Sequence, residues 1–535
     1  MISLVLNHVP FEQDIRELFM AFYPGERYTH EPDGNAMILF AAERREADQE
    51  AEFSDTLSYR ADLCASVEGK IQNMSLRGKG CTCEEGGSAQ LYAMRLTVRG
   101  GSTQRFCSPV FQDRLQSKNE LKRALYRALA RETGRELPWG TLTGIRPTKL
   151  ALTELLRGVS EEQAARQLRE QYFLSEARTA LCVRTAANEK KALEGLDLER
   201  GWSLYIGIPF CPTTCLYCSF TSYPISRWKK QTEGYVEALC EELRQVALWM
   251  RGRPLETIYM GGGTPTSLEA AQLERILSVL RERFDLQYLR ELTVEAGRPD
   301  SITEEKLRAL KRRGVTRISI NPQTMKQETL ELIGRRHSVQ QFVDRFRMAR
   351  DIGFDNINTD LIVGLPNETA EDVRRTMEGI RELAPDDVTI HSLALKRAAG
   401  LNTKKKDYAG VRYGNAADMV ELAVEYCEQM GLHPYYLYRQ KNMAGNLENV
   451  GWCRPGREGL YNILIMEELQ TIVGCGAGTT TRVMLPGEKR YERAENVKDP
   501  GLYMERLTEL LERKKVLLCA DGEKNPLQNL PATIK

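Results

Sequence analysis

At 535 residues the chain is too long for one compact core; at about 150 residues per domain it has room for two to four units, with a barrel taking roughly 200 residues by itself. Its 75 basic and 74 acidic side chains nearly cancel, which excludes a global field drawing in nucleic acid or an anionic membrane and leaves a small-molecule or protein partner. The first twenty residues, MISLVLNHVPFEQDIRELFM, show neither the basic n-region nor the apolar h-region of a signal peptide, and no later stretch approaches the ~20 apolar residues of a membrane span, so a cytoplasmic protein is expected.

Residues 1–150 mix strand-like runs (ISLVLN, AMILFAA, QLYAMRLTV) with the helical stretch NELKRALYRALARE at 119–132, and predict an N-terminal α+β domain. The turn-rich patch LPWGTLTGIRPT (137–148) leads into a polar, helical linker over 151–200. From 201 to 400 the rhythm becomes regular: LYIGI, TIYM, ELTVEA, RISIN, INTDLIVG and DVTIHSLA are short β-rich runs with helices between them. In the first of these helices Tyr235, Leu239, Leu243, Val246 and Met250 share a face. Six alternations predict a parallel sheet with right-handed crossovers, an α/β fold built as a partial (β/α)6 barrel. Sites in such sheets form at the carboxyl ends of the strands. Residues 401–535 lose the rhythm and are expected as a C-terminal α+β cap; the glycine-rich VGCGAGTTTR (473–482) reads as a tight structural turn, because no helix pattern follows it.

Thirteen scattered cysteines in so long a chain point to a reducing compartment with metal or catalytic thiols rather than disulfide staples. Only CPTTCLYC (211–218), directly after the first barrel strand, has ligand-like spacing: Cys211, Cys215 and Cys218. Thiolates bind iron–sulfur clusters or zinc. A structural zinc site wants four ligands, yet the next cysteine, Cys240, lies within a helix and no histidine occurs between residues 31 and 336. Three cysteines on a four-iron cluster leave one iron open, and an open coordination position marks a reactive metal site. Other polar residues fall at strand ends: the GGGTPT run with Gly261, Gly262, Gly263 and Thr264, then Glu295 and Gln323, with Asp360 inside the fifth strand. Three such residues in successive strands suggest a shared ligand, although each alone could be a capped or ion-paired residue. His337 and His391 lie by the same end and read as structural histidines.

The loop CxxxCxxC resembles that of the radical S-adenosylmethionine (SAM) superfamily, and the wider stretch YIGIPFCPTTCLYCSF is similar to the branch containing oxygen-independent coproporphyrinogen III oxidase, or coproporphyrinogen dehydrogenase. That branch usually shows Y-x-H-I-P-F-C; Gly207 stands here where the histidine would be. The N-terminal extension and PYYLYRQKNMAGNLENVGW (434–452) resemble the longer Gram-positive variant of the family. The resemblance implies a [4Fe-4S] cluster on Cys211, Cys215 and Cys218, with SAM held by Tyr205, Tyr217, Gly261, Gly262, Gly263, Thr264, Glu295, Gln323, Arg335, Asp360 and Ala394. It implies reductive cleavage of SAM to a 5′-deoxyadenosyl radical, fed by an electron donor such as flavodoxin or ferredoxin. The radical then takes hydrogen from propionate side chains of coproporphyrinogen III, which lose carbon dioxide and become the vinyl groups of protoporphyrinogen IX. Such a tetrapyrrole carries four carboxylates, and Lys396, Arg397, Arg439 and Lys441 are placed to meet them. Two alternatives share the fold: a haem chaperone, whose H-N-x-x-Y-W pattern this chain lacks, and a radical SAM enzyme that modifies haem or another tetrapyrrole.

Overall fold

Alternation of period two runs through the middle of the chain, as in SLYIGI, ELTVEAG and DVTIHS. Period two puts polar and apolar side chains on opposite faces of a strand. In the computed structural model, which describes residues 1–31, 36–46, 90–101, 103–144, 146–393, 416–439, 447–485 and 490–519, these segments are neighbouring strands of one sheet. The chain divides into two compact units, Met1–Gly144 with Arg157–Val183, and Ile145–Leu156 with Arg184 onward. The helical residues 151–200 are thereby shared out: the helix Glu161–Tyr172 belongs to the first unit and Thr148–Leu156 to the second.

The first unit is a five-stranded sheet in the order β2-β1-β3-β4-β5. Its strands are β1 (Ile2–Asn7), β2 (Tyr28–Thr29), β3 (Ile38–Glu46), β4 (Gln90–Val98) and β5 (Thr103–Pro109). The helix Glu12–Phe22 buries Ile15, Leu18, Phe19 and Phe22 in the same core as Phe40, Leu96 and the longer helix Arg114–Thr133. Asp113 caps that longer helix by accepting from the Leu115 amide at 2.8 Å.

In the second unit six parallel strands follow chain order across the sheet. They are β6 (Trp202–Ile208), β9 (Leu255–Gly262), β10 (Glu291–Gly297), β11 (Arg317–Ile320), β12 (Ile357–Val363) and β13 (Asp387–Ser392). The short pair β7 (Phe210–Cys211) and β8 (Tyr223–Pro224) brackets the cysteine loop. Helices of the βα units cover the apolar face; Thr232–Trp249 buries Tyr235, Leu239, Leu243 and Val246, the stripe expected from the sequence. Each such side chain contributes about 1.5–3 kcal/mol by leaving water.

The C-terminal region is continuous with this sheet at both edges. Past β13 come β15 (Asn449–Cys453) and β14 (His433–Tyr438), both antiparallel pairings. Past β6 come β16 (Thr471–Cys475), β17 (Thr480–Met484) and β18 (Tyr491–Glu495), with β16 parallel to β6. The VGCGAGTTTR segment holds the end of β16, the turn over 476–479 and the start of β17.

The other face of the six strands is polar and lines the barrel lumen. At the strand-start end, Arg317 and Asp387 form a fully buried ion pair at 2.5 Å, and Tyr435 donates to the same carboxylate at 2.7 Å. Removing one partner of such a pair costs about 3–5 kcal/mol. This floor leaves the opposite, strand-end side as the place for a site.

Candidate active site

Cys211, Cys215 and Cys218 sit on the loop that leaves β6 at its carboxyl end. The loop is tied down by its own backbone: the Leu216 amide donates to Ile333 O at 3.0 Å and the Cys218 amide to Cys215 O at 3.1 Å. Thr213 Oγ1 donates to Gly334 O at 3.2 Å, and Arg298 Nη1 reaches Thr213 O at 3.1 Å. Two donors address sulfur directly: Thr264 Oγ1 lies 3.5 Å from Cys211 Sγ, and Arg298 Nη1 lies 3.6 Å from Cys215 Sγ. Burial pushes the Cys211 thiol pKa up, so its thiolate needs a metal partner to persist.

The trio fits a cluster better than a single ion. Two sulfurs on one tetrahedral zinc stand roughly 3.8 Å apart. Among the described residues, the only His, Cys, Asp or Glu trio whose ligand atoms all lie within 4.8 Å of one another is elsewhere, so these three sulfurs spread wider.

From the loop a hydrogen-bonded path crosses the strand ends. Arg335, almost fully buried, donates to Tyr217 Oη at 2.9 Å and to Asn321 O at 2.5 Å. Asn321 Nδ2 donates to Asp360 Oδ2 at 2.8 Å, and Asn358 Nδ2 to Asp360 Oδ1 at 2.8 Å. His391 Nε2 stands 3.8 Å from Asp360 Oδ2, and its Nδ1 meets Tyr438 Oη at 3.2 Å. Burial raises the Asp360 pKa, but the nearby His391 imidazole, the Asn358 hydrogen bond and the Arg317 charge outweigh it and hold the carboxyl below its usual range. Gln323 lies beyond the end of β11; it takes a left-handed φ of 72°, and its amide donates to Asp360 O at 3.1 Å. A non-glycine residue held there is strained, and such strain gathers at functional sites.

Glu295 occupies the middle of the strand ends. Tyr259 Oη donates to Glu295 Oε1 at 2.6 Å, and burial pushes the carboxyl up to about 7. Just beyond it β10 bulges between Glu295 and Gly297, and bulges re-aim side chains. The glycine run is sterically required: a Cβ on Gly261 would lie 2.8 Å from the Glu295 carboxyl carbon, and one on Gly263 would lie 2.6 Å from Phe210 O. Gly262 carries a φ of +105° and Thr264 is buried. Below this level Tyr205, Tyr259 and Tyr461 stack in the lumen, with Tyr259 and Tyr461 ring centroids 4.7 Å apart.

Gly207 is explained by its neighbours. A Cβ there would meet Thr479 Cγ2 at 2.5 Å, because the turn after β16 packs against the end of β6. Any side chain at that position requires Thr479 to shift.

The structure thus gathers Cys211, Cys215, Cys218, Tyr217, Thr264, Glu295, Gln323, Arg335 and Asp360 at one end of the barrel. Arg439, directly after β14, is buried at the same end of the sheet. Ala394, Lys396, Arg397 and Lys441 lie outside the described residues. Sequence reasoning missed Arg298, Asn321 and Asn358, and set His391 aside. Arg298 had one signal, a cation three residues past Glu295 at the same strand end.

Six parallel strands with a three-cysteine loop after the first define a radical SAM protein, and the family model for the Radical SAM superfamily matches residues 205–380. The chain is 40% identical over 403 residues to the oxygen-independent coproporphyrinogen-III oxidase-like protein HemZ of Bacillus subtilis, covering 75% of this chain and 80% of that one. It is 33% identical over 285 residues to the heme chaperone HemW of Lactococcus lactis, covering 53% and 70%. Coproporphyrinogen III oxidase (HemN) from Escherichia coli, a solved structure, aligns with a TM-score of 0.48 at 26% identity over 60% of this chain and 71% of that one. The chain belongs to the HemN-like branch of the radical SAM superfamily, with the oxygen-independent coproporphyrinogen III oxidases and their relatives. The cofactors of this family are a [4Fe-4S] cluster and SAM.

Proposed function

We propose that the protein oxidatively decarboxylates two propionate side chains of coproporphyrinogen III to vinyl groups, giving protoporphyrinogen IX. The observation that carries this reading is the three-cysteine loop held at the open end of a polar barrel, with Glu295, Arg335 and Asp360 converging beside it. When bound, the cluster and SAM supply a one-electron cleavage that removes hydrogen from an unactivated carbon. Cys211, Cys215 and Cys218 would ligate three irons. The planar fork of Arg335 suits the methionine carboxylate of SAM, Glu295 and Asp360 suit its amino and ribose hydroxyl groups, and the glycine run lets backbone approach closely. The tyrosine stack and the Arg317–Asp387 floor exclude water from below, which protects a reactive centre from quenching. Arg439, buried at the same end of the sheet, is the described cation best placed for a substrate carboxylate.

The heme chaperone HemW similarity supports a second reading, haem carriage without turnover. Against it, the chain reads ENVGW at 448–452, with no histidine of the chaperone pattern. Anaerobic incubation of the reconstituted protein with SAM, a reductant and coproporphyrinogen III should yield mono- and divinyl products by mass spectrometry. Haem binding without SAM consumption would replace the oxidase reading with the chaperone one, and a methylated tetrapyrrole would point to a different radical SAM reaction.

A further inference from the structure

At the opposite end of the same sheet, we propose that His433, Cys453 and Glu458 form a second metal site, for one divalent ion of the zinc class. Strand pairing sets it up. His433 and Cys453 are Cα partners across the antiparallel pair β14 and β15, so their side chains leave the same face as close neighbours. Glu458 arrives through the tight turn after β15, where the Arg457 amide donates to Arg454 O at 3.0 Å and the Gly456 amide donates to Glu458 Oε1 at 3.1 Å.

The three ligand atoms all lie within 4.8 Å of one another. His433 Nε2 is 3.0 Å from Glu458 Oε1 and 3.7 Å from Cys453 Sγ. Around a tetrahedral zinc with ordinary bond lengths, nitrogen and oxygen stand roughly 3.4 Å apart and nitrogen and sulfur roughly 3.6 Å. The two histidine distances therefore lie within a few tenths of an ångström of what an ion requires. A thiolate, a carboxylate and a neutral imidazole cancel the charge of a divalent cation, as a partly buried site requires. The mixed nitrogen, sulfur and oxygen set suits zinc and excludes magnesium or calcium, which take oxygen.

Access is one-sided. Cys453 is 0% exposed, whereas His433 and Glu458 keep 17% and 15% of their side chains exposed and line a cavity of about 810 Å³ at the strand-start end. Three protein donors with the fourth direction facing a cavity is the arrangement of an open site rather than a closed structural one. Arg290 and Lys311 stand on the cavity wall, so the group completing the shell is water or an anion. This site shares no residue with the cysteine loop and stands whether or not the chain oxidises porphyrinogens.

The test is metal analysis of the full-length protein with its cluster reconstituted, so that Cys211, Cys215 and Cys218 are occupied by iron. After equilibration with one equivalent of zinc and desalting, one zinc per chain should remain beside four irons. Zinc-edge X-ray absorption should show one sulfur at ~2.3 Å with nitrogen and oxygen at ~2.0–2.2 Å. Cys453→Ala should lose the sulfur shell and lower zinc affinity at least tenfold with the iron content unchanged. Glu458→Gln, a partly exposed position that spares the core, should also lower affinity at least tenfold. Zinc retained equally by wild type and both variants, no zinc in the wild type, or a shell without sulfur would each overturn the assignment.

Discussion

Replacing Glu295 with glutamine should make the protein more stable and its grip on SAM weaker. In the fold, burial pushes the Glu295 carboxyl from the ordinary 4.5 up to about 7. A group whose pKa is raised by folding lends its stability below its unfolded value and loses it as pH rises through the folded one. Between pH ~4.5 and ~7 the native state therefore loses about 1.4 kcal/mol per pH unit from this residue, or about 3 kcal/mol in all at pH 8. Glutamine keeps an oxygen to accept the Tyr259 hydroxyl, now at 2.6 Å from Oε1, and never ionises. Guanidinium unfolding without SAM should show wild type falling relative to Glu295→Gln by about 2.5 kcal/mol between pH 5 and pH 8. SAM affinity at pH 8 should fall by about ten- to a hundredfold in the variant, the worth of a charged hydrogen bond. Parallel pH profiles for the two proteins would refute the buried-carboxyl argument; equal SAM affinities would remove Glu295 from the cofactor site.

Further outcomes follow from other positions. Cys215→Ala should abolish the ~400 nm absorbance of the reconstituted cluster, and full iron content in that variant would contradict the ligand set. Gly207→Ala puts a methyl 2.5 Å from Thr479 Cγ2 and should lower the unfolding free energy by about 1–3 kcal/mol, with Thr479→Ser restoring part of it in the double variant. Burial, with the Arg335 charge beside it, pushes His337 down to about 3. The unfolded chain therefore takes up the proton first, and stability drains away as pH falls below ~6.5; His337→Gln should shrink the stability loss between pH 7 and pH 5 by about 2 kcal/mol. Arg439→Ala should raise the apparent Michaelis constant for the porphyrinogen with SAM cleavage intact, and unchanged kinetics would exclude it from the substrate site.

What could be read in advance was local. The cysteine spacing, the glycine run and the polar residues at strand ends are patterns within one βα unit each, and period-two alternation names the lumen face before any packing is known. The helical stretch 119–132 was equally legible, from leucines and alanines at helical spacing, and lies within the helix Arg114–Thr133. Arg298, by contrast, acquires its meaning only from Cys215, 83 residues away in the chain, and Asn321 from Asp360, 39 residues on. Gly207 departs from the family pattern in the sequence, but the reason is the Thr479 methyl, on the turn that follows a strand returning from the far end of the chain. Long-range pairing of this kind leaves no periodic trace.

That returning strand has a cost during synthesis. β6 pairs with β9 on one side and β16 on the other, and residues 471–475 leave the ribosome some 260 positions after β6. At roughly 5–20 residues per second the interval exceeds ten seconds, during which one edge of β6 stays bare and open to pairing with a neighbouring nascent chain. Yield in heterologous expression should accordingly respond to chaperone supply.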